Sequence, residues 1–291
     1  MATKTKRIHA SGKKRINRSL WGDIIVFLLL LVVALFMALP FVYTVIQAFK
    51  PFEELFAFPP KFYVVNPTLD NFIDLFMVTA NSWVPFSRYI FNSVLVSLVG
   101  TTLHVICASL CAYPVAKHQF PGKKAIFKVI QLSLLFNGTV TALPTFIIMS
   151  ELGLLNNHLS LILPAIGGAF GMFLMKQFME GIPTPLLEAG RIDGAGEWKI
   201  FWRIVMPNVK PAWLTLIIFS FTGLWNNNGG SYIFDEQLKM LPTALTQIAS
   251  IGIARMGVGM AASLLLVIPP IFTFILSQSR IIETMSTAGI K

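Results

Sequence analysis

Six stretches of this sequence run for about twenty residues or more with no Asp, Glu, Lys or Arg, the length needed to cross a hydrocarbon layer about 30 Å thick. They are Ile24–Phe49, Tyr89–Ala116, Val129–Ser150, Leu152–Met175, Pro211–Phe234 and Met256–Ser279. No run alternates polar and apolar residues with the period of a membrane barrel strand, so each reads as a helix. Charged residues make up only 12% of the chain and mean hydropathy is +0.71, against about 25% charge in a soluble domain. The expected fold class is an all-α membrane protein with six transmembrane helices. Glu151 alone separates the third and fourth runs, which predicts a hairpin with a short outer turn.

A net charge of +10 would suggest nucleic acid on a soluble protein, but its placement says otherwise. Lys50, Lys61, Arg88, Lys239 and Arg255 fall on one side of the six runs, and every other Lys and Arg falls on the opposite side. Positive charge stays in the cytoplasm. Both termini and the loop between the fourth and fifth runs are therefore expected there, with no nucleic-acid partner and with membrane lipid as the surroundings. Residues 1–20 read as a basic cytoplasmic tail. The apolar run after Asp23 continues without a small-residue cleavage pattern, unlike a secretory signal.

The longest charged interruption in the second half is TPLLEAGRIDGAGEWKIFWRIVMP, from Thr184 to Pro207. Its six charged residues keep it out of hydrocarbon. Thr184 suits a helix N-cap and Pro185 the first helical position, placing Glu188 near the positive end of the helix dipole. Gly194 can take φ > 0 and close that helix. Glu197 then opens a second helix, which Pro207 is expected to stop.

Glu188-Ala189-Gly190, three residues, Gly194, nine residues, Ile204, one residue and Met206-Pro207 closely resembles the signature cytoplasmic loop of ABC importer permeases. Gly190 stands where the family has a third Ala, and Met206 where it has Leu. The Gly loosens the first helix by about 1 kcal/mol relative to Ala. Tyr113 to Gly122, together with the preceding Ala112, resembles a helix end and turn in carbohydrate importers of this family. The resemblance covers roughly Tyr89 to Ile281 and is closest to the second permease of maltose-type systems. It implies the type I ABC importer permease fold. It also implies a second permease subunit, two ABC ATPase subunits that hold the ATP and Mg, and an extracytoplasmic solute-binding protein. Glu188, Ala189, Gly190, Asp193, Gly194 and Ile200 would form the helix that docks on an ATPase. The domains are then a tail over 1–20, a first helix and outer loop over 21–88, a permease core over 89–282 containing the 184–207 loop, and a tail over 283–291.

Several residues outside that loop invite a role. The outer loop from Lys50 to Arg88 holds five prolines among many aromatics and reads as a structured cap, with a short helix across Leu69–Phe76. It either meets an external partner or seals the helix ends. His104 lies at mid-membrane, where an ionisable group is either functional or a hydrogen-bonded packing residue. Cys107 and Cys111 lack His or Cys partners at metal spacing, so no metal site is expected. Asn137-Gly138-Thr139 within the third run lines a wet cavity or ties helices together. Pro164, Gly167, Gly168 and Gly171 predict a bendable fourth helix. Trp225 followed by Asn226, Asn227 and Asn228 could present an aromatic face and amides to a sugar, or be an interfacial anchor with a turn. Asn137, Trp225, Asn226 and Asn228 are the candidate substrate path.

The sequence has no Gly-x-x-x-x-Gly-Lys-Ser/Thr phosphate loop and no paired carboxylates within the six runs. The chain is therefore expected to be a non-enzymatic transport subunit without its own cofactor, driven by another polypeptide. The reading is a permease of an ATP-driven sugar or oligosaccharide importer in the cell membrane. The alternatives are an ABC permease for a peptide or polyamine, or a channel or enzyme acting alone.

Overall fold

A computed structural model of the chain describes residues 20–59, 61–80, 84–136, 138–250 and 255–288. Those residues are almost wholly helical and contain no strand. Helix α1 (Leu20–Ala48) is apolar on all sides, and its side chains face outward, as expected of a helix bathed in lipid. Pro40 lies inside it, where its carbonyl accepts from the Thr44 hydroxyl at 2.9 Å. The outer cap follows as α2 (Phe52–Leu55) and α3 (Asp70–Ala80), close to the helix expected there. Asn71 fastens it: the buried amide donates to the carbonyls of Ala48 at 2.9 Å and Lys50 at 2.7 Å, which satisfies acceptors left open at the end of α1. Gly257 lies against Asn71, and a Cβ there would sit 2.3 Å from its Oδ1.

Helix α4 (Phe86–Lys117) is the central post. Its small residues let neighbours approach closely, the main source of helix association in lipid. A Cβ at Gly100 would meet Leu224 at 2.6 Å. Gly122, with φ 87°, turns the chain into α5 (Lys123–Ser133). Helix α6 (Gly138–Glu151) meets α5 at 109°, so the third apolar run is a bent pair rather than one rod. The expected tight turn follows Glu151. The fourth run is α7 (Leu159–Ile166) and α8 (Ala169–Glu180), separated at Gly167 and Gly168. Together they form one span-length unit.

The 184–207 loop folds as α9 (Thr184–Ile192), α10 (Glu197–Ile200), a π turn over Phe201–Val205 and α11 (Met206–Asn208). Helix α12 (Lys210–Trp225) leaves it at 78°. The fifth span is thus shorter than its uncharged run: after Trp225 the chain makes turns and a 3-10 turn at Glu236–Leu238. Helix α13 (Leu241–Ser250) follows, and then α14 (Met256–Ala288).

Four helices are individually long and apolar enough to span a membrane, and the two bent pairs bring the number to six. Among the described residues, three buried clusters join them. One gathers Val105, Ala112, Tyr113, Met175, Leu187, Ile200 and Phe201 beneath the loop, a second gathers Leu75, Phe86, Phe221, Trp225 and Leu241 under the outer cap, and a third gathers Val96, Leu161, Ile162, Leu224, Ile233 and Met240.

Candidate functional site

The 184–207 segment is an elbow with a buried side and an exposed side. Helix α9 starts at Thr184 itself, after Pro183, and no side chain caps it, so the expected Thr184 cap does not form. Gly194 adopts φ 76°, and a Cβ there would meet nothing within 4 Å. Its requirement for glycine is conformational rather than steric. The amides of Asp193, Gly194 and Ala195 close the end of α9 on the carbonyls of Ala189, Arg191 and Gly190, each at 3.0 Å. Pro207 does not stop the second helix. It sits within the continuous helical run from Glu197 to Asn208, and the direction changes one residue beyond that run, at Val209 (φ −101°, ψ 23°).

Glu188, Ala189, Asp193 and Gly194 lie on the exposed side. Two large apolar side chains share that side, Ile192 at 86% exposure and Trp198 at 66%. Gly190 and Ile200 lie beneath them. Gly190 is not a loose point: a Cβ there would press to 2.8 Å from Ile204 Cδ1 and 3.5 Å from Ile200 Cγ1. Its lack of a side chain lets α9 settle directly on the second helix.

Glu197 ties the elbow to α4. Its Oε1 accepts from Arg191 Nε at 2.8 Å and its Oε2 from the Tyr113 hydroxyl at 2.7 Å, with His118 Nε2 at 3.5 Å. The Arg191 hydrogen bond, and then that of Tyr113, hold the Glu197 carboxyl below its ordinary range despite some desolvation. Lys117 adds hydrogen bonds to the carbonyls of Glu180 and Ile182 at 3.1 and 2.6 Å. The sequence gives no local signal for this junction, because its partners stand far apart in the chain.

A cavity of about 500 Å³ opens among α6, α7, α8, α12 and the turn after Trp225. Thr141, Thr145, Ser160 and Ser220 bring hydroxyls to its wall, and Asn227 brings an amide. Phe170 and Phe219 line it edge to face, 5.7 Å apart, and Tyr232 borders it. His104 also lines it, with Nδ1 3.1 Å from the Ile166 carbonyl oxygen. Gly168 and Gly171 form the notch for this ring: a Cβ at either would fall 2.6 or 2.4 Å from His104. These glycines make room for a side chain at the point where the fourth span breaks.

The substrate-path residues named from sequence divide. Trp225 does not reach the cavity: it is 2% exposed, stacks on Phe221 at 5.8 Å and donates from its indole N–H to the Leu266 carbonyl at 2.8 Å. Asn226 is exposed and does not line the cavity. Asn227, between them, does. Asn228 faces a separate outer recess with Lys239, Thr243 and Phe234. Asn137 lies outside the described residues. The signal that could have found the wall is Thr141 and Thr145, four apart on one face of an apolar helix.

The outer turns are pinned to α4. The Tyr89 hydroxyl donates to Glu236 at 2.6 Å, Asn92 donates to the carbonyls of Gln237 at 2.8 Å and Lys239 at 2.9 Å, and the Leu241 amide donates to Ser93 Oγ at 2.7 Å. One post therefore holds the elbow at its lower end and the outer turns over 236–241 at its upper end.

Comparison with known proteins finds the same architecture. Residues 104–286 match the family described as binding-protein-dependent transport system inner membrane component. The arabinooligosaccharides transport system permease protein AraQ of Halalkalibacterium halodurans is 28% identical, over 89% of this chain and 93% of that one. The diacetylchitobiose uptake system permease protein NgcG of Streptomyces coelicolor is 31% identical, over 71% of each. A chain in the crystal structure of a bacterial ABC transporter involved in import of the acidic polysaccharide alginate superposes with a TM-score of 0.77. It is 22% identical, with 88% of this chain and 95% of that chain covered.

Proposed function

This chain belongs to the family of binding-protein-dependent transport system inner membrane components, and on that premise we propose that it is a permease subunit of an ATP-driven importer of sugars or oligosaccharides. It forms the translocation path with a second permease. Two ATPase subunits bind the ATP and Mg that this chain has no phosphate loop to hold, and an extracytoplasmic solute-binding protein delivers cargo from outside. The relatives support the cargo class, since AraQ and NgcG are named for saccharides. The charge asymmetry supports an elbow and both termini on the cytoplasmic side.

The observation that carries the mechanism is the junction of Glu197 with Tyr113. An ATPase that grips the exposed face of Glu188, Ile192, Asp193 and Trp198 moves α9 and α10 as one piece, because Gly190 seats them together. The junction hands that displacement to α4, whose side chains reach both the cavity and the outer turns over 236–241. Rigid helices rocking about such a post open one side of the path as they close the other. A hydroxyl- and aromatic-lined cavity suits a sugar, which offers hydroxyls to polar groups and an apolar ring face to Phe170 or Phe219. A polyamine would need carboxylates, and the described residues of the wall include none.

The test is uptake into vesicles holding the whole transporter with its binding protein. ATP inside should drive oligosaccharide accumulation, and leaving out the ATPase should abolish it. Uphill transport by this polypeptide alone would remove the reading. So would labelling of a cysteine placed at Asp193 by a membrane-impermeant thiol reagent added to intact cells from outside.

A further inference from the structure

We propose that the cavity is built for an uncharged, hydroxyl-rich saccharide and excludes uronic-acid and phosphorylated sugars; this rests on the transport reading above. That reading leaves the charge of the cargo open, because the similar proteins include one for an acidic polysaccharide.

The wall's hydrogen-bond polarity carries the inference. Thr145 donates its hydroxyl proton to the Thr141 carbonyl at 2.7 Å, Thr141 donates to the Gly138 carbonyl at 3.1 Å, and Ser160 donates to the Asn157 carbonyl at 2.7 Å. His104 Nδ1 faces the Ile166 carbonyl at 3.1 Å; a carbonyl can only accept, so that nitrogen holds the proton. Each of these groups directs its proton at backbone, and the three hydroxyls keep only oxygen lone pairs for a guest. These three oxygens welcome donors, and the Ser220 hydroxyl and Asn227 amide stand beside them as uncharged donors. A sugar hydroxyl can meet both kinds of group; a carboxylate or phosphate is acceptor-only and would meet lone pair against lone pair at Thr141, Thr145 and Ser160.

Among the described residues of this chain's wall, no cation relieves that mismatch. None of the described residues lining the cavity carries a formal charge. Lys176, eight residues along α8 from Gly168, already pairs with Glu180 at 2.7 Å and lies 3.7 Å over the Phe127 ring. Lys239, in the outer recess, pairs with Glu236 at 2.6 Å. An anionic sugar would shed water against this wall without gaining a counter-charge from it, a large cost.

The experiment uses vesicles containing the complete transporter, loaded with ATP and offered neutral trisaccharides (arabinotriose, chitotriose, maltotriose) or trigalacturonate. Uptake of at least one neutral trisaccharide, with trigalacturonate at least tenfold slower, is expected. Thr145→Val should lower neutral uptake severalfold at unchanged abundance, and Thr145→Ser should restore it. Trigalacturonate moving as fast as the neutral sugars, or Thr145→Val leaving uptake unchanged, would overturn this inference while sugar import stands. Transport of no saccharide in either class would remove the transport reading, and the inference with it.

Discussion

The Tyr113 hydroxyl donates to Glu197 Oε2 at 2.7 Å, joining the last turn of α4 to the first turn of α10 across 84 residues of chain. Tyr113 is almost fully buried and also packs on Phe201 with ring centroids 5.5 Å apart. Tyr113→Phe keeps that packing and removes one hydrogen bond to a carboxylate, worth about 1.5–3 kcal/mol. The complex should assemble and hydrolyse ATP while oligosaccharide moved per ATP falls severalfold, read from paired uptake and phosphate-release assays. Equal coupling in the mutant would show that α4 receives its displacement elsewhere.

Acid should loosen the same junction, and the sign follows from Glu197. Its folded value is depressed by Arg191 and then Tyr113, so its contribution is complete above the unfolded carboxyl value of about 4.3 and fades as pH falls through the lower folded value. Trp198, stacked 6.2 Å from Phe201, is the reporter. Hydrogen exchange across 197–200, corrected for intrinsic rates, should be flat from pH 8 to pH 5 and rise below about pH 4. Glu197→Gln should remove the pH dependence and give a fast, constant rate.

Gly194 separates conformation from contact. Its φ of 76° strains any residue with a Cβ, yet the surrounding space is open. Gly194→Ala should cost about 1 kcal/mol of local stability, and Gly194→Asn less, because Asn tolerates the left-handed region. Gly194→Asp should insert normally and lose uptake, since it adds a charge to the face we propose as the ATPase contact. Uptake and membrane abundance measured together distinguish the two effects. Normal uptake by Gly194→Asp would remove Gly194 from the docking face.

How far the sequence reaches depends on the range of the interaction read. The six spans and the Gly194 turn were legible because hydropathy and a positive φ are local properties. The break in the fourth span was marked by Pro164, Gly167 and Gly168, but the bend between α5 and α6 was not legible: it falls inside an unbroken apolar run, and hydropathy is blind to direction. Trp225 failed as a cavity residue because its indole N–H found a partner on α14, 41 residues later. Glu197 was visible only as a helix-opening acid, since Tyr113, His118 and Arg191 converge on it through tertiary packing. The hydroxyl wall of α6 was hidden by two threonines that alone look like ordinary membrane-helix residues.

The notch beneath His104 gives the sharpest steric test. A Cβ at Gly171 would fall 2.4 Å from His104 Nε2 and 3.1 Å from Leu216 Cδ2. Both neighbours are buried, His104 against the Ile166 carbonyl and Leu216 at 1% exposure, so the side open to them is the cavity that both line. Gly171→Ala should destabilise by about 1–3 kcal/mol, the usual range for overpacking, and push the imidazole toward the cavity. Gly223→Ala is the matched control, because it lines the same cavity and its added methyl would meet nothing within 4 Å. The thermal midpoint of the detergent-solubilised complex should drop for Gly171→Ala and hold or rise for Gly223→Ala. Adding His104→Ala to Gly171→Ala should recover part of the loss, since the cavity left by one side chain receives the other. Without that recovery, the glycine would be serving backbone geometry and not the histidine.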